Sequence, residues 1–362
     1  MILGLMIIIY ASVYTMIYRC DRNSDKLKIL DLKENSMDYR ILAKDYEISM
    51  KEQVLPLLDS LQTTGVIKNG AHTVSYNMYL LDSPKANIVI SHGFIERKEK
   101  YKEAIYYFLN MGYQVFILDH YSHGASGRAT ADSSIIHITS YQDLASDLHA
   151  FVKSTVVKNS KGKKTILFGH SMGGAIATLM VETYPDIIDG LILNAPMFKI
   201  KNPIPEFAGE PVTKLMTAFG KGDEYAIGYR AYDPGTDSVY NPKMIATYCE
   251  KRAQYWHYQH LNLTQHPTFG ASWCAGANFI DLTHEILRKG NVEKIKQPVL
   301  MFQAERDAFV DPKGQYEFAN RIKNIEYYLV RNAGHEIYIE EDQIIVPYFK
   351  KVNEFIERVI KL

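Results

Sequence analysis

A chain of 362 residues, 47% of them apolar, can bury a full core as one large α/β domain with an insertion or as two small domains. Lys plus Arg equals Asp plus Glu at 41 each, so no charge imbalance points to a nucleic-acid partner or an acidic substrate. Cys20, Cys249 and Cys274 are too few, and odd in number, for a disulfide framework.

Residues 1–18 contain no charged side chain. As a helix they would span about 27 Å, close to the ~30 Å hydrocarbon core, which predicts a single-pass N-terminal membrane anchor. A cleaved signal peptide would want a basic start, and Tyr18-Arg19-Cys20 is a poor cleavage site. Arg19, Arg22, Lys26 and Lys28 follow, which places the body of the chain in the cytoplasm under the positive-inside rule. Residues 19–70 read as a juxtamembrane segment leading into the first helix or strands.

From about residue 71 a βα rhythm begins. Strands are predicted at 74–81, 88–90 and 115–118, with a helix over 97–110 between the last two. Ser140-x-x-Asp143 resembles a capping box, and Tyr141, Leu144, Leu148, Phe151 and Val152 line one helical face behind it. Strands at 165–168 and 191–193 come next. Residues 198–290 break the rhythm and are rich in Tyr, His, Pro and Gly. Strands at 299–302 and 327–330 resume it, and Val352, Phe355, Ile356 and Val359 mark a final amphipathic helix. Short continuous apolar strands between helices predict an α/β fold with a mostly parallel sheet flanked by helices. The interruption predicts a cap insertion over the carboxyl ends of the strands, where such sheets bind ligands.

Gly169-His170-Ser171-Met172-Gly173 is G-x-S-x-G. An apolar run leads in and a small, helix-prone run leads out, the setting of a serine on a sharp strand-to-helix turn. A serine hydroxyl needs a base, and the base needs an orienting acid. The expected chain order is Ser, then acid, then His. His335, in a loop past the 327–330 strand, fits the base. Asp307, past the 299–302 strand, fits the acid, with Glu305 as rival and Asp311 read as a helix cap. Two backbone N–H donors are needed for an oxyanion: Met172, directly after the serine, and Phe94, in His92-Gly93-Phe94. His120 and His123 stand three apart beside Asp119, but no further ligands complete a set, so no metal is expected.

With these residues in place, the chain from about 70 onward resembles the α/β-hydrolase family of lysophospholipase L2 and monoacylglycerol lipase. The resemblance is carried by Ile95-Glu96 with Lys100-Tyr101, Asp119-His120 with Gly124-x-Ser126-Gly127-Arg128, His170 to Ile176, Ala195-Pro196-Met197-Phe198, Tyr225-Ala226-Ile227-Gly228 and Gln303-Ala304-Glu305. It implies hydrolysis of carboxylic esters of single-chain lipids, a lysophospholipid or a monoglyceride, without metal or cofactor. It also implies a membrane-associated bacterial setting, which with the anchor reading predicts the inner membrane, and it leads to no nucleic-acid partner. Met197, Phe269 and Trp273 are candidate walls of an acyl-chain site. Three alternatives accompany this reading: a broad carboxylesterase, an aminopeptidase of the same superfamily, and a non-catalytic membrane-bound binding protein. An aminopeptidase would need a carboxylate cluster for the substrate amine, for which Glu206, Glu210, Asp223 and Glu224 are available.

Overall fold

The computed structural model describes residues 24–33, 37–201, 206–242, 246–262 and 268–362. In chain order the strands are β1 (Leu27–Ile29), β2 (Gln62–Asn69), β3 (His72–Tyr79), β4 (Ala86–Ser91), β5 (Tyr113–Leu118), β6 (Ile135–Ile136), β7 (Thr165–His170), β8 (Gly190–Asn194), β9 (Gly270–Ala271), β10 (Val299–Ala304) and β11 (Ile325–Val330). The main helices are α1 (Leu55–Leu61), α2 (Lys102–Asn110), α3 (Tyr141–Phe151), α4 (Met172–Thr183), α5 (Glu206–Met216), α6 (Glu250–Asn262), α7 (Trp273–Ile286), α8 (Pro312–Arg321) and α9 (Asp342–Ile360). Nine strands form one sheet in the order β1-β11-β10-β8-β7-β4-β5-β3-β2. Its pairings are parallel except β2–β3 and β3–β5, at one edge.

The apolar runs predicted as strands are continuous because both faces of the sheet are covered. Along β4, Ile88 and Ile90 enter one core while Val89 enters the other. On β7, Leu167 faces the first core, and Ile166 and Phe168 the second. The first core is closed by α3, α4, α7 and α8, and the second by α2 and α9. Each fully buried Leu, Ile, Val or Phe contributes about 1.5–3 kcal/mol relative to exposure. The expected cap of α3 is present, with Ser140 Oγ accepting the Asp143 N–H at 3.2 Å.

The insertion between β8 and β10 carries α5, α6 and α7. Its last helix is not an appendage, because Ala275, Phe279, Leu282 and Ile286 of α7 pack into the first core. Sequence reading left two edge elements unassigned. Strand β2 is polar and joins β3 through a two-residue turn with Gly70 at φ 58°, and β1 is only three residues long.

The expected membrane localisation is corrected. Among the described residues no helix is long and apolar enough to cross a membrane. The 19-residue α9 comes near the required length, but it carries Asp342, Lys350, Lys351, Glu354, Glu357 and Arg358. Residues 1–18, read as a single-pass anchor with a cytoplasmic body, lie outside the described residues, and that localisation is not carried forward.

Candidate active site

The carboxyl ends of β4, β7, β10 and β11 converge on one edge of the sheet, and the segments leaving them carry the residues singled out above. Ser171 stands between β7 and α4 with φ 51° and ψ −120°, a conformation that L-residues rarely adopt. The flanking glycines are steric necessities. A Cβ at Gly173 would lie 2.1 Å from the Ser91 carbonyl oxygen, and one at Gly169 2.7 Å from Gly174 Cα. Both obstacles are backbone and cannot rotate away. Gly173→Ala is expected to cost about 3 kcal/mol or more by overpacking. A denaturation midpoint equal to the parent's would contradict this crowding.

Asp307 and His335 are in direct contact. Asp307 Oδ2 lies 2.7 Å from His335 Nδ1, while Oδ1 accepts the N–H groups of Phe309 (2.8 Å) and Val310 (3.0 Å). A carboxylate at Nδ1 fixes the tautomer that leaves Nε2 as the free base. Burial lowers the basicity of His335, but the Asp307 carboxylate, with help from Glu336 and Glu96, outweighs it, and the pKa is raised above the ordinary 6.5. Burial pushes the Asp307 carboxyl up, yet the histidine and the two backbone donors hold it below the usual range. The His335 ring packs 4.7 Å from that of His170, the neighbour of Ser171, and 5.2 Å from Phe309.

The other sequence-predicted residues divide. Met172 opens α4, so its N–H is one of the orphan donors of a helix start, beside the serine. Met197 donates its N–H to the Ser171 carbonyl at 3.0 Å, which places it at the site. Phe94 follows β4 and packs edge-on against Phe279 (5.5 Å) and Tyr229 (6.0 Å). Phe269 packs instead on Tyr232 and the Arg230 guanidinium, and Trp273 donates its N–H to the Glu224 carbonyl. Glu305 accepts the Asn332 N–H at 2.8 Å and so ties two loops together, and Asp311 caps α8.

The buried histidines near Asp119 have protein partners: His120 Nε2 meets Ser91 Oγ at 2.9 Å, and His123 Nδ1 meets the Tyr121 carbonyl at 3.1 Å. Asp119 pairs with Lys98 Nζ at 2.5 Å. In the insertion, Glu210, Asp281 and His284 bring ligand atoms within 4.8 Å of one another, but Lys214 Nζ pairs both carboxylates. Of the carboxylates available to an aminopeptidase, Glu210 pairs with Lys214 and Glu224 with Lys221. Sequence reading missed a buried polar group around Glu96, Lys100, His170, Glu336 and Tyr338. The run Glu96-Arg97-Lys98-Glu99-Lys100 is charged at every position, and no periodicity in it signals burial.

A mostly parallel sheet covered on both faces, with a strained serine between a central strand and the helix that follows, defines an α/β-hydrolase. The sequence pattern of the family Serine aminopeptidase, S33, matches residues 82–342, and the chain belongs to this family. It is 30% identical to lysophospholipase L2 of Escherichia coli K12 over 288 residues, covering 74% of this chain and 81% of that one. Human monoglyceride lipase is 24% identical over 289 residues, covering 76% and 84%. Among solved structures, a soluble variant of monoglyceride lipase from Saccharomyces cerevisiae superposes with a TM-score of 0.65 at 18% identity, covering 83% of this chain and 96% of that one. A carboxyl esterase from Bacillus coagulans also reaches 0.65, at 19% identity, covering 83% and 99%. These two likenesses, at such identities, speak for the fold.

Proposed function

We propose that this protein is a serine hydrolase that cleaves carboxylic esters of single-chain lipids, lysophospholipids or monoglycerides, through an acyl-enzyme. The observation that carries the reading is the Asp307–His335 contact at 2.7 Å beside the strained Ser171 elbow. The relatives' names supply the substrate class.

In this mechanism Ser171 Oγ attacks the ester carbonyl carbon, and His335 Nε2 takes its proton. The Met172 and Phe94 N–H groups receive the developing oxyanion. The C–O bond to the glycerol-bearing group breaks, and the imidazolium returns the proton to the departing oxygen. Water, deprotonated by His335, then releases the fatty acid and restores Ser171. Asp307 stays ionised throughout and favours the imidazolium. The insertion between β8 and β10 serves as the cap, with Met197, whose N–H meets the Ser171 carbonyl, at the floor of the acyl site.

A panel of lysophospholipids, monoglycerides, short soluble esters and aminoacyl amides tests the assignment. Release of fatty acid from the first two, with a covalent fluorophosphonate adduct on Ser171, is expected. Hydrolysis confined to the aminoacyl amides would overturn the lipid reading. The pH profile supplies a second check. His335 must be neutral to act, and its pKa is raised, so activity is lost as pH falls through that raised value. The acid-side midpoint of kcat/KM is expected above 6.5, and a midpoint below that would contradict the pairing.

A further inference from the structure

Behind the candidate site lies a buried carboxylate that the mechanism above does not use. Glu96 is 4% exposed. Its Oε2 accepts the Gly93 N–H and the Tyr101 hydroxyl, both at 2.6 Å. Its Oε1 accepts the Tyr338 hydroxyl at 2.9 Å and the Lys100 ammonium at 3.0 Å, and lies 3.8 Å from His170 Nε2. Lys100 in turn pairs with Glu336, the neighbour of His335.

These partners belong to three separate segments. Gly93 is in the turn that carries Phe94, and the Glu96 N–H also donates to the Gly93 carbonyl at 3.3 Å. That turn contains Ile95 at φ 60°, a β-branched residue in the left-handed region. Such a conformation is disfavoured for a β-branched residue and persists only when its surroundings hold it. Space around the turn is already taken, since a Cβ at Gly93 would lie 2.9 Å from Glu96 Oε2 and 3.0 Å from His170 Cδ2. His170 ends the nucleophile strand and packs on both His335 (4.7 Å) and Tyr338 (5.1 Å). Tyr338 and Glu336 follow His335 in chain order. One carboxylate thus joins the Phe94 turn, the Ser171 elbow and the His335 loop.

We propose that Glu96 is a positioning residue, whose carboxylate fixes the Phe94 N–H and the His335 loop relative to Ser171. This rests on the roles given to Ser171, His335 and Phe94 above. The chemistry requires a carboxylate rather than an amide. The Gly93 N–H and the Lys100 ammonium can only donate, and they meet different oxygens. An amide offers one oxygen, so its NH2 would face one of these donors in either orientation. The charge has a second consequence. The titratable groups around His335 are Asp307, Glu336, Glu96, His170, Lys100 and Tyr338. Burial drives His170 down to about 3, so it is neutral in the working range. The Glu96 charge favours the protonated imidazole and also offsets Lys100. Removing it therefore acts to lower the His335 pKa.

The test uses Glu96→Gln and Glu96→Asp, each checked by thermal melting. It reads two quantities: the His335 titration by NMR and the rate of fluorophosphonate labelling at Ser171. Glu96→Gln is expected to lower the His335 pKa by about half a unit or more and to slow labelling about tenfold or more. Glu96→Asp keeps the charge but falls a methylene short of Gly93. It is expected to leave the titration within about 0.2 units while slowing labelling. A His335 titration and a labelling rate both unchanged in Glu96→Gln would overturn the inference, as would a lowered melting temperature alone. If Glu96→Gln does not fold, parent-like labelling of Glu96→Asp overturns it. A parent that is never labelled at Ser171 refutes the function instead, and the NMR titration still decides the role of Glu96.

Discussion

Ser171→Ala is expected to abolish ester hydrolysis and fluorophosphonate labelling together, with turnover falling by about four orders of magnitude or more. The reason is chemical rather than structural. The hydroxyl is the atom that would become acylated, and without it the route through a covalent intermediate closes. What remains is the oxyanion pocket and substrate binding, which can still favour attack by water weakly. The fold should be indifferent to the change. Alanine adopts φ 51° at the same cost as serine, and the Ser171 backbone contacts to Asn194, Ala175 and Met197 do not involve the side chain. The melting temperature should therefore stay within a few degrees of the parent's. Activity retained within about tenfold would remove Ser171 from the role of nucleophile. Loss of both activity and folding would mean that the elbow was read with the wrong residue as its exposed member.

The central sheet was legible in the sequence because both of its faces are buried. Runs such as Ile88-Val89-Ile90 and Val299-Leu300-Met301-Phe302 alternate between two apolar cores, so every position is hydrophobic and the strands stand out. The edges were harder for the same reason. Five of the eight residues of Gln62–Asn69 are exposed and none is buried, and three residues of β1 carry too little pattern. The strained Ser171 turn was legible because its glycines are forced by backbone contacts, and the Asp307–His335 contact because chain order limits which acid and histidine can meet there. Phe269 shows the limit. An aromatic in an insertion looks the same in sequence whether it lines a site or packs on Arg230 and Tyr232. The burial of Glu96 was illegible for a stronger reason: it is arranged by Tyr101, Lys100 and Tyr338, and the last of these is 242 positions away. The N-terminal apolar run, residues 1–18, lies outside the described residues. Length and hydropathy satisfied the rule for an anchor, whereas the described residues supply no membrane-crossing helix.

Asp307→Asn and Glu305→Gln, compared side by side, are expected to differ by several orders of magnitude, although the two residues are separated by one position. Asp307 Oδ2 accepts from His335 Nδ1, and Oδ1 holds two backbone N–H groups that keep the carboxylate from rotating. With an amide in place of the carboxylate, those backbone donors would claim the side-chain oxygen and turn the NH2 toward His335. The imidazole would then have to accept at Nδ1, putting its proton on Nε2, the atom that must take the serine proton. Turnover is expected to fall by about 10⁴, with a much smaller change in KM, because orientation of the base matters only as charge develops. The acid-side pH midpoint should also move down, since the carboxylate that raises the His335 pKa has lost its charge. Glu305→Gln has none of these consequences. Its Oε2 accepts the Asn332 N–H at an exposed loop, a bond that an amide oxygen can still make. Activity within about threefold of the parent is expected there, since an exposed neutral hydrogen bond replaces a charge-assisted one. Kinetics and pH profiles of the two variants decide the matter. If Glu305→Gln proves the more damaging, the Asp307–His335 contact is a structural pair and the orienting acid must be sought at Glu305.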